Sequence, residues 1–255
     1  MSYGKRGGMN GLVFLDFDGV ICDSLLETMV SSWLGYYLLR GEPQPAAMPA
    51  SLREDFARLR PYVRAGEDFI LIHELIAAKV PVGSQAEFDG QLAQRGERLV
   101  RRYRESFYQA RGDLLAREPE YWMALNSLYP HVIRHLADWV PSPALYILST
   151  KRADFIVEIL KNKGIPVEPK RVLSCAAKEK KETILRNLAD RGQSKALFID
   201  DQIDHLAPEE ARDPRILGLL ASWGYVQREW LRDSRGVEIL HPHQFAERVR
   251  PWLGP

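Results

Sequence analysis

Two carboxylates separated by one residue follow a short apolar run near the start of the chain, in Asp16-Phe17-Asp18-Gly19-Val20. One such acid can attack phosphorus while the other protonates a leaving oxygen and later takes a proton from water. Gly19 permits a tight turn directly behind them, although an Asp-Gly pair alone also reads as an ordinary turn. Ser149-Thr150-Lys151 adds a hydroxyl and backbone N–H groups suited to a phosphate oxygen beside a helix start. The plainer role there is an N-cap. Lys178, Glu179, Lys180 and Lys181 offer an ammonium to offset charge on a transferring phosphoryl group. Basic residues oppose the dipole at a helix start, which suggests that at least one of them is placed for another purpose. Asp200-Asp201-Gln202-Ile203-Asp204 gathers acids that repel one another unless a cation compensates. Read as oxygen-only donors, they point to Mg²⁺. An acidic helix N-terminus is the alternative, and it explains Asp204 better than Asp200 or Asp201.

These residues need elements that bring them together. Leu12 to Leu15 is a continuous apolar run of the kind found in strands buried on both faces of a parallel sheet, and Ala144 to Leu148, Arg171 to Leu173, Ala196 to Ile199 and Ile216 to Leu220 read the same way. Between them lie helical stripes. Phe155, Ile156, Ile159 and Leu160 stop at Gly164, and Ile184, Leu185 and Leu188 stop at Gly192. Alternating strands and helices predict a doubly wound parallel α/β sheet of the Rossmann kind. The ends of the Leu12, Ala144 and Ala196 strands should then converge on one crevice.

From about Ser24 to about Glu120 the alternation fails and apolar residues recur at helical spacing. The stripes are Leu25, Met29 and Trp33; Phe69, Ile72 and Ile76; and Leu92, Leu99, Tyr103 and Phe107, with proline breaks at Pro43, Pro45, Pro49 and Pro81. An all-helical domain over 23–126 is therefore expected inside an α/β core made of 1–22 and 127–255.

The bulk composition agrees with an enzyme of this size. With 255 residues and 45% hydrophobic content the chain can bury a full core. Thirty-five basic against 34 acidic residues give no global field for nucleic acid or an anionic membrane. Two cysteines, Cys22 and Cys175, argue against a disulfide framework. With no secretory leader in Met1 to Asn10 and no run of apolar residues long enough to span a bilayer, a cytoplasmic protein is the expectation.

The four chemical stretches, in this order from Asp16 to Asp204, resemble the four motifs of the haloacid dehalogenase superfamily. Asp-Phe-Asp-Gly-Val-Ile with Asp23-Ser24 shortly after is similar to the first motif of members that carry a helical cap directly behind it. The resemblance implies Asp16 as a nucleophile forming an aspartyl-phosphate and Asp18 as acid and base, its backbone carbonyl touching the metal. It implies Ser149 as the phosphate-binding hydroxyl, with Gly19, Thr150 and Lys178 around the phosphate. Asp16, Asp18, Asp200 and Asp201 would hold Mg²⁺, with Asp204 in support. Lys181 has the best spacing for the third-motif lysine, with Lys178 and Lys180 as alternatives. Dehalogenases of the superfamily lack the second aspartate of the first motif, so Asp18 favours phosphoryl chemistry. Two departures concern the subfamily: Asp-Asp stands where many members have glycine-aspartate, and no lysine-proline pair surrounds Lys178.

The implied activity is a Mg²⁺-dependent phosphatase for a small phosphorylated metabolite, as a monomer or homodimer. The alternatives are a sugar phosphomutase on the same site and a binding protein without turnover. Other residues read as structural. His131 and His135 are taken as ordinary helix residues, and His241 and His243 as a turn around Pro242. Arg95, Arg98, Arg101, Arg102 and Arg104 with Glu97 and Glu105 are taken as a salt-bridged solvated face. The stretch Arg60 to Glu74 is a candidate for choosing the substrate. Trp223-Gly224-Tyr225 reads as a turn with a packing or hinge role.

Overall fold

The computed structural model describes residues 11–175, 181–192, 195–206 and 213–253. The chain forms two compact units, Met1–Asp23 with Leu128–Pro255, and Ser24–Ser127.

The first unit is built on a six-stranded sheet. Its strands are β1 (Gly11–Leu15), β2 (Leu145–Ser149), β3 (Val172–Ser174), β4 (Lys195–Asp200), β5 (Ile216–Ala221) and β6 (Glu238–Leu240). They lie in the order β3-β2-β1-β4-β5-β6, and every pairing is parallel. Val13, Phe14 and Leu15 are fully buried, as the unbroken apolar run requires of a strand covered on both faces. The sixth strand, β6, adds to the five expected; at three residues with one fully buried side chain, it carries too short a pattern to read.

Register brings the acids together. Leu15 pairs with Ile199 on one side and Ile147 on the other, so Asp16 and Asp200 leave adjacent strand ends at the same level, with Ser149 two residues beyond Ile147. The Asp16 N–H donates to the Ile199 carbonyl at 2.9 Å, extending the ladder by one bond. At the other end of β1, Gly11 faces Trp252, whose ring leaves no room for a side chain there.

The second unit is all helical: α1 (Leu25–Arg40), α2 (Leu52–Leu59), α3 (Asp68–Ala77), α4 (Gln85–Arg117) and α5 (Pro119–Ala124). The three expected stripes fall on α1, α3 and α4. Among them Met29, Trp33, Phe69, Ile72, Tyr103 and Phe107 are buried in one core with Phe56 and Leu59 of α2. A run of 33 residues as long as α4 is broken once, at Gly96, whose φ of 70° and ψ of 157° only glycine adopts readily. Glu27 of α1 and Arg111 of α4 form a buried two-bond ion pair at 2.8 Å each, and Glu27 also accepts from Ser31 Oγ and Trp122 Nε1. The face expected on α4 is solvated, with Glu97, Arg98, Arg101, Arg102, Arg104 and Glu105 all exposed, but its expected salt bridges are not made. Arg95 turns to Glu74 at 3.4 Å, and neither Glu97 nor Glu105 makes an ion pair among the described residues.

After the insertion the chain resumes with α6 (Pro130–Trp139), α7 (Ala153–Asn162) and α8 (Lys181–Gly192). Ile156, Ile159 and Leu160 bury the apolar face of α7, and Gly164 beyond it sits at a φ of 78°. The Tyr129 N–H donates to the Ile21 carbonyl at 3.0 Å, so the chain leaves the α/β unit and returns to it at neighbouring points. No helix among the described residues is long and apolar enough to cross a membrane.

Candidate active site

At the carboxyl ends of β1 and β4, Lys181 binds two acids at once. Its Nζ lies 2.8 Å from Asp16 Oδ2 and 2.8 Å from Asp200 Oδ2, and all three residues are buried. Lys181 is the first residue of α8, where a positive charge opposes the helix dipole; the two carboxylates supply the reason it is there. Lys178 and Lys180, the alternatives for this role, lie outside the described residues.

Charge and burial compete across this triad. Burial pushes the Asp16 carboxyl above its ordinary range, against the pull of the Lys181 ammonium and with help from the Asp200 charge. Burial opposes ionisation of Asp200 too, but Lys181 and His205 outweigh it and hold that carboxyl well below its ordinary range. Burial would depress the Lys181 ammonium, yet Asp16 and Asp200 raise it above the usual lysine value. Asp16 Oδ1 accepts the Phe17 N–H at 2.7 Å and Asp200 Oδ1 accepts the Gln202 N–H at 2.8 Å, which fixes both carboxylates in rotation.

His205 corrects the reading of this cluster as oxygen-only. A short turn, Ile203–His205, returns the chain so that His205 Nδ1 lies 3.0 Å from Asp200 Oδ2. Ligand atoms of Asp16, Asp200 and His205 all lie within 4.8 Å of one another. Two buried carboxylates sharing one ammonium leave an excess of negative charge. This donor set fits a divalent cation.

Asp201 points to another wall of the same region. Its Oδ2 accepts the Tyr225 N–H at 2.6 Å and rests against Gly19, where a Cβ would come within 1.9 Å of that oxygen. Gly19 has a φ of 85°, so both its backbone and its surroundings require glycine. Asp204 lies further out, in an exposed ion pair with Arg235 at 3.2 Å.

Asp18 stands opposite, partly exposed, with its Oδ1 accepting from Lys151 Nζ at 3.1 Å. That lysine is buried, with its ammonium 5.7 Å from the centre of the Phe17 ring. Ser149 is fully buried at the end of β2, and its Oγ accepts the Lys151 N–H at 3.3 Å. Thr150, beside it, is exposed. Asp16, Asp18, Gly19, Ser149, Lys181, Asp200 and Asp201 thus all belong to the first unit.

Sequence reasoning did not assign Lys151, His205 or Tyr225 to the site. Lys151 was visible within the Ser149 motif, but its partner lies 133 residues away. His205 directly follows the acidic run and was the available signal for a nitrogen donor. His131 and His135 make aromatic contacts instead, His131 with Trp223 at 4.6 Å and His135 with Trp139 at 5.2 Å between ring centres. His241 caps a single turn of 3₁₀ helix, Pro242–Gln244, and His243 lies within it.

No family model and no curated protein matches the chain. Solved structures do. A predicted phosphatase from Clostridium acetobutylicum shares 14% identity over 95% of this chain and 99% of that one, with a TM-score of 0.54. A haloacid dehalogenase-like hydrolase from Streptococcus pneumoniae shares 17% identity over 94% and 99%, with a TM-score of 0.53. A predicted phosphoglycolate phosphatase from Haemophilus somnus shares 13% identity over 96% and 100%, with a TM-score of 0.57. Together with the parallel sheet and the helices inserted behind its first strand, these likenesses give the chain the haloacid dehalogenase-like fold with a helical insertion.

Proposed function

We propose that the chain is a Mg²⁺-dependent phosphatase that hydrolyses a small phosphomonoester in two steps through Asp16. The observation that carries the reading is the Lys181 ammonium held between Asp16 and Asp200, with Asp18 beside the same strand end. Fold alone would not support it, because one fold serves many activities.

In the first step an Asp16 oxygen attacks phosphorus, the bond to the ester oxygen breaks, and Asp18 gives that oxygen a proton. In the second, Asp18 takes a proton from water, the water oxygen attacks phosphorus, and the bond to Asp16 breaks to free phosphate. Lys181 offsets the charge that gathers on the phosphoryl oxygens and keeps Asp16 in place. Ser149 and the N–H groups after it receive the phosphate, beside Lys151. Asp16, Asp200 and Asp201, with the backbone carbonyl of Asp18, are the oxygen donors that would hold the cation, and His205, 3.0 Å from Asp200 Oδ2, would steady that carboxylate. Bound there, Mg²⁺ would supply a second positive charge for the transferring group. A phosphorylated metabolite as substrate goes with the same reading, and a cytoplasmic location is proposed beside it.

The test is Mg²⁺-dependent phosphate release from p-nitrophenyl phosphate and a panel of phosphorylated metabolites, comparing the native chain with Asp16→Asn. Release that needs both the metal and Asp16 supports the reading. Interconversion of sugar phosphates without release would replace it with a mutase, and a folded protein inert in both assays would end it.

A further inference from the structure

Asp16, Asp200, Asp201 and Asp23 each accept a hydrogen bond from a backbone N–H or a phenol. Asp16 Oδ1 takes the Phe17 N–H and Asp200 Oδ1 the Gln202 N–H, while Asp201 Oδ2 and Asp23 Oδ1 accept from the N–H and the phenol of Tyr225, at 2.6 and 2.8 Å. Asp18 differs. Among the described residues its carboxylate is bonded by one group, the Lys151 ammonium, 3.1 Å from Oδ1. Lys151 is itself firmly placed. Its N–H donates to Ser149 Oγ at 3.3 Å, and its carbonyl accepts from Ser174 Oγ, at the end of β3, at 3.1 Å. Its side chain is 2% exposed, against 18% for Asp18, and its ammonium lies 5.7 Å from the centre of the buried Phe17 ring. The lysine backbone is thus tied to the ends of β2 and β3, and its ammonium reaches the segment that follows β1.

We propose that Lys151 is a positioning residue whose ammonium fixes the Asp18 carboxylate in rotation, so that Oδ2 is the oxygen presented for proton transfer. The inference rests on the phosphatase reading of the same site. A hydrogen bond between two charged groups is stronger than one between neutral groups, and burial of the lysine limits where its end of the bond can go. A carboxylate that turns among its rotamers meets the leaving oxygen only part of the time, and proton transfer needs it within hydrogen-bond reach. Lys151 keeps its own protons throughout. Oδ2 gives its proton to the ester oxygen as the bond to phosphorus breaks, and takes one from water in the second step.

The comparison that tests this is between leaving groups. p-Nitrophenolate departs without a proton whereas an alkoxide needs one, so a misplaced Asp18 harms alkyl esters more. In Lys151→Met we expect kcat/KM to fall about thirtyfold for an alkyl phosphate that the native chain hydrolyses and about threefold for p-nitrophenyl phosphate. Lys151→Gln, whose neutral amide holds a carboxylate less firmly, should show the same split to a smaller degree, and it stands in if the methionine variant does not fold. Lys161→Met, at an exposed lysine of α7, is the control. Equal losses for the two esters would overturn the inference, because a general disturbance of the site harms both alike. A KM raised alike for both with kcat intact would overturn it too, since Lys151 would then be gripping the phosphate itself. The second arm needs no turnover. Three-bond couplings of the Asp18 β-protons should report one χ1 rotamer in the native chain and averaged rotamers in Lys151→Met, with Asp16 unchanged. Averaging already present in the native chain, or a single rotamer kept in the variant, would refute the proposed role. A native chain that releases no phosphate would sink the phosphatase reading instead, and the rotamers of Asp18 would still decide whether Lys151 holds it.

Discussion

Lys181 Nζ sits 2.8 Å from Asp16 Oδ2, out of solvent, and the same nitrogen holds Asp200 at equal distance. Removing it strands two buried carboxylates. Lys181→Met should lower the stability of the α/β unit by about 3–5 kcal/mol, the usual consequence of breaking a buried pair from one side. Adding Asp200→Asn should recover part of that loss. Urea unfolding of the single and double variants checks both outcomes, and a harmless Lys181→Met would mean the pair contributes little.

Gly19→Ala tests the contact between the first and fourth motifs. A Cβ at that position meets Asp201 Oδ2 at 1.9 Å on a backbone already at positive φ. Strain of this kind costs about 1–3 kcal/mol, and the displaced carboxylate should cost turnover on the order of a hundredfold. Phosphate release and a thermal melt, measured together, separate the two effects. Full activity in a folded variant would show that Asp201 can move freely.

In the helical unit, Glu27 and Arg111 are the groups to alter. Glu27→Gln leaves a buried guanidinium facing a neutral amide and weakens the bonds from Ser31 and Trp122. Destabilisation of about 3 kcal/mol is expected, visible as a lower denaturation midpoint. Breaking the exposed Arg40–Glu42 pair in the same unit should leave the midpoint in place.

His73 makes the helical unit sensitive to acid. Burial among Trp33, Tyr36 and Phe56 pushes its imidazole down to about 3, and Ser32 Oγ lies 2.7 Å from Nε2. A depressed folded value means that its contribution is complete above the unfolded value near 6.5 and drains away as pH falls toward 3. The slope is on the order of 1.4 kcal/mol per pH unit. Asp68, raised to about 6 mainly by burial, slopes the opposite way: its contribution is present below its unfolded value and is lost as pH rises through 6. The native chain must therefore be compared with His73→Phe, in which Asp68 is unchanged. Stability of the variant should fall less between pH 6.5 and 4 than that of the native chain, and parallel curves would refute the assignment.

The sheet could be read from the sequence because its strands are buried on both faces. Leu12 to Leu15 and Ala196 to Ile199 have no polar residue to interrupt them, and each ends at an acid. The same logic misses β6, which is too short to show a pattern, and it cannot separate α2 and α5 from their neighbours. Within the site, residue types at strand ends were legible, but pairings across long sequence separations were not. Nothing near Lys151 indicates Asp18, and nothing near Tyr225 indicates Asp23. His205 was hidden for another reason. Only a tight turn after Gln202 carries it back to Asp200, and a charged run reads equally well as the start of a helix pointing away.

The hydrogen bond from Tyr129 to Ile21 has a consequence for how such a protein can change over time. Because exit and return lie side by side, everything between Asp23 and Leu128 is a closed detour from the sheet. Lengthening, shortening or rewriting it need not alter the spacing of the strand ends that carry Asp16, Ser149 and Asp200. Selection acting on the detour and selection acting on the strand ends can therefore proceed at different speeds.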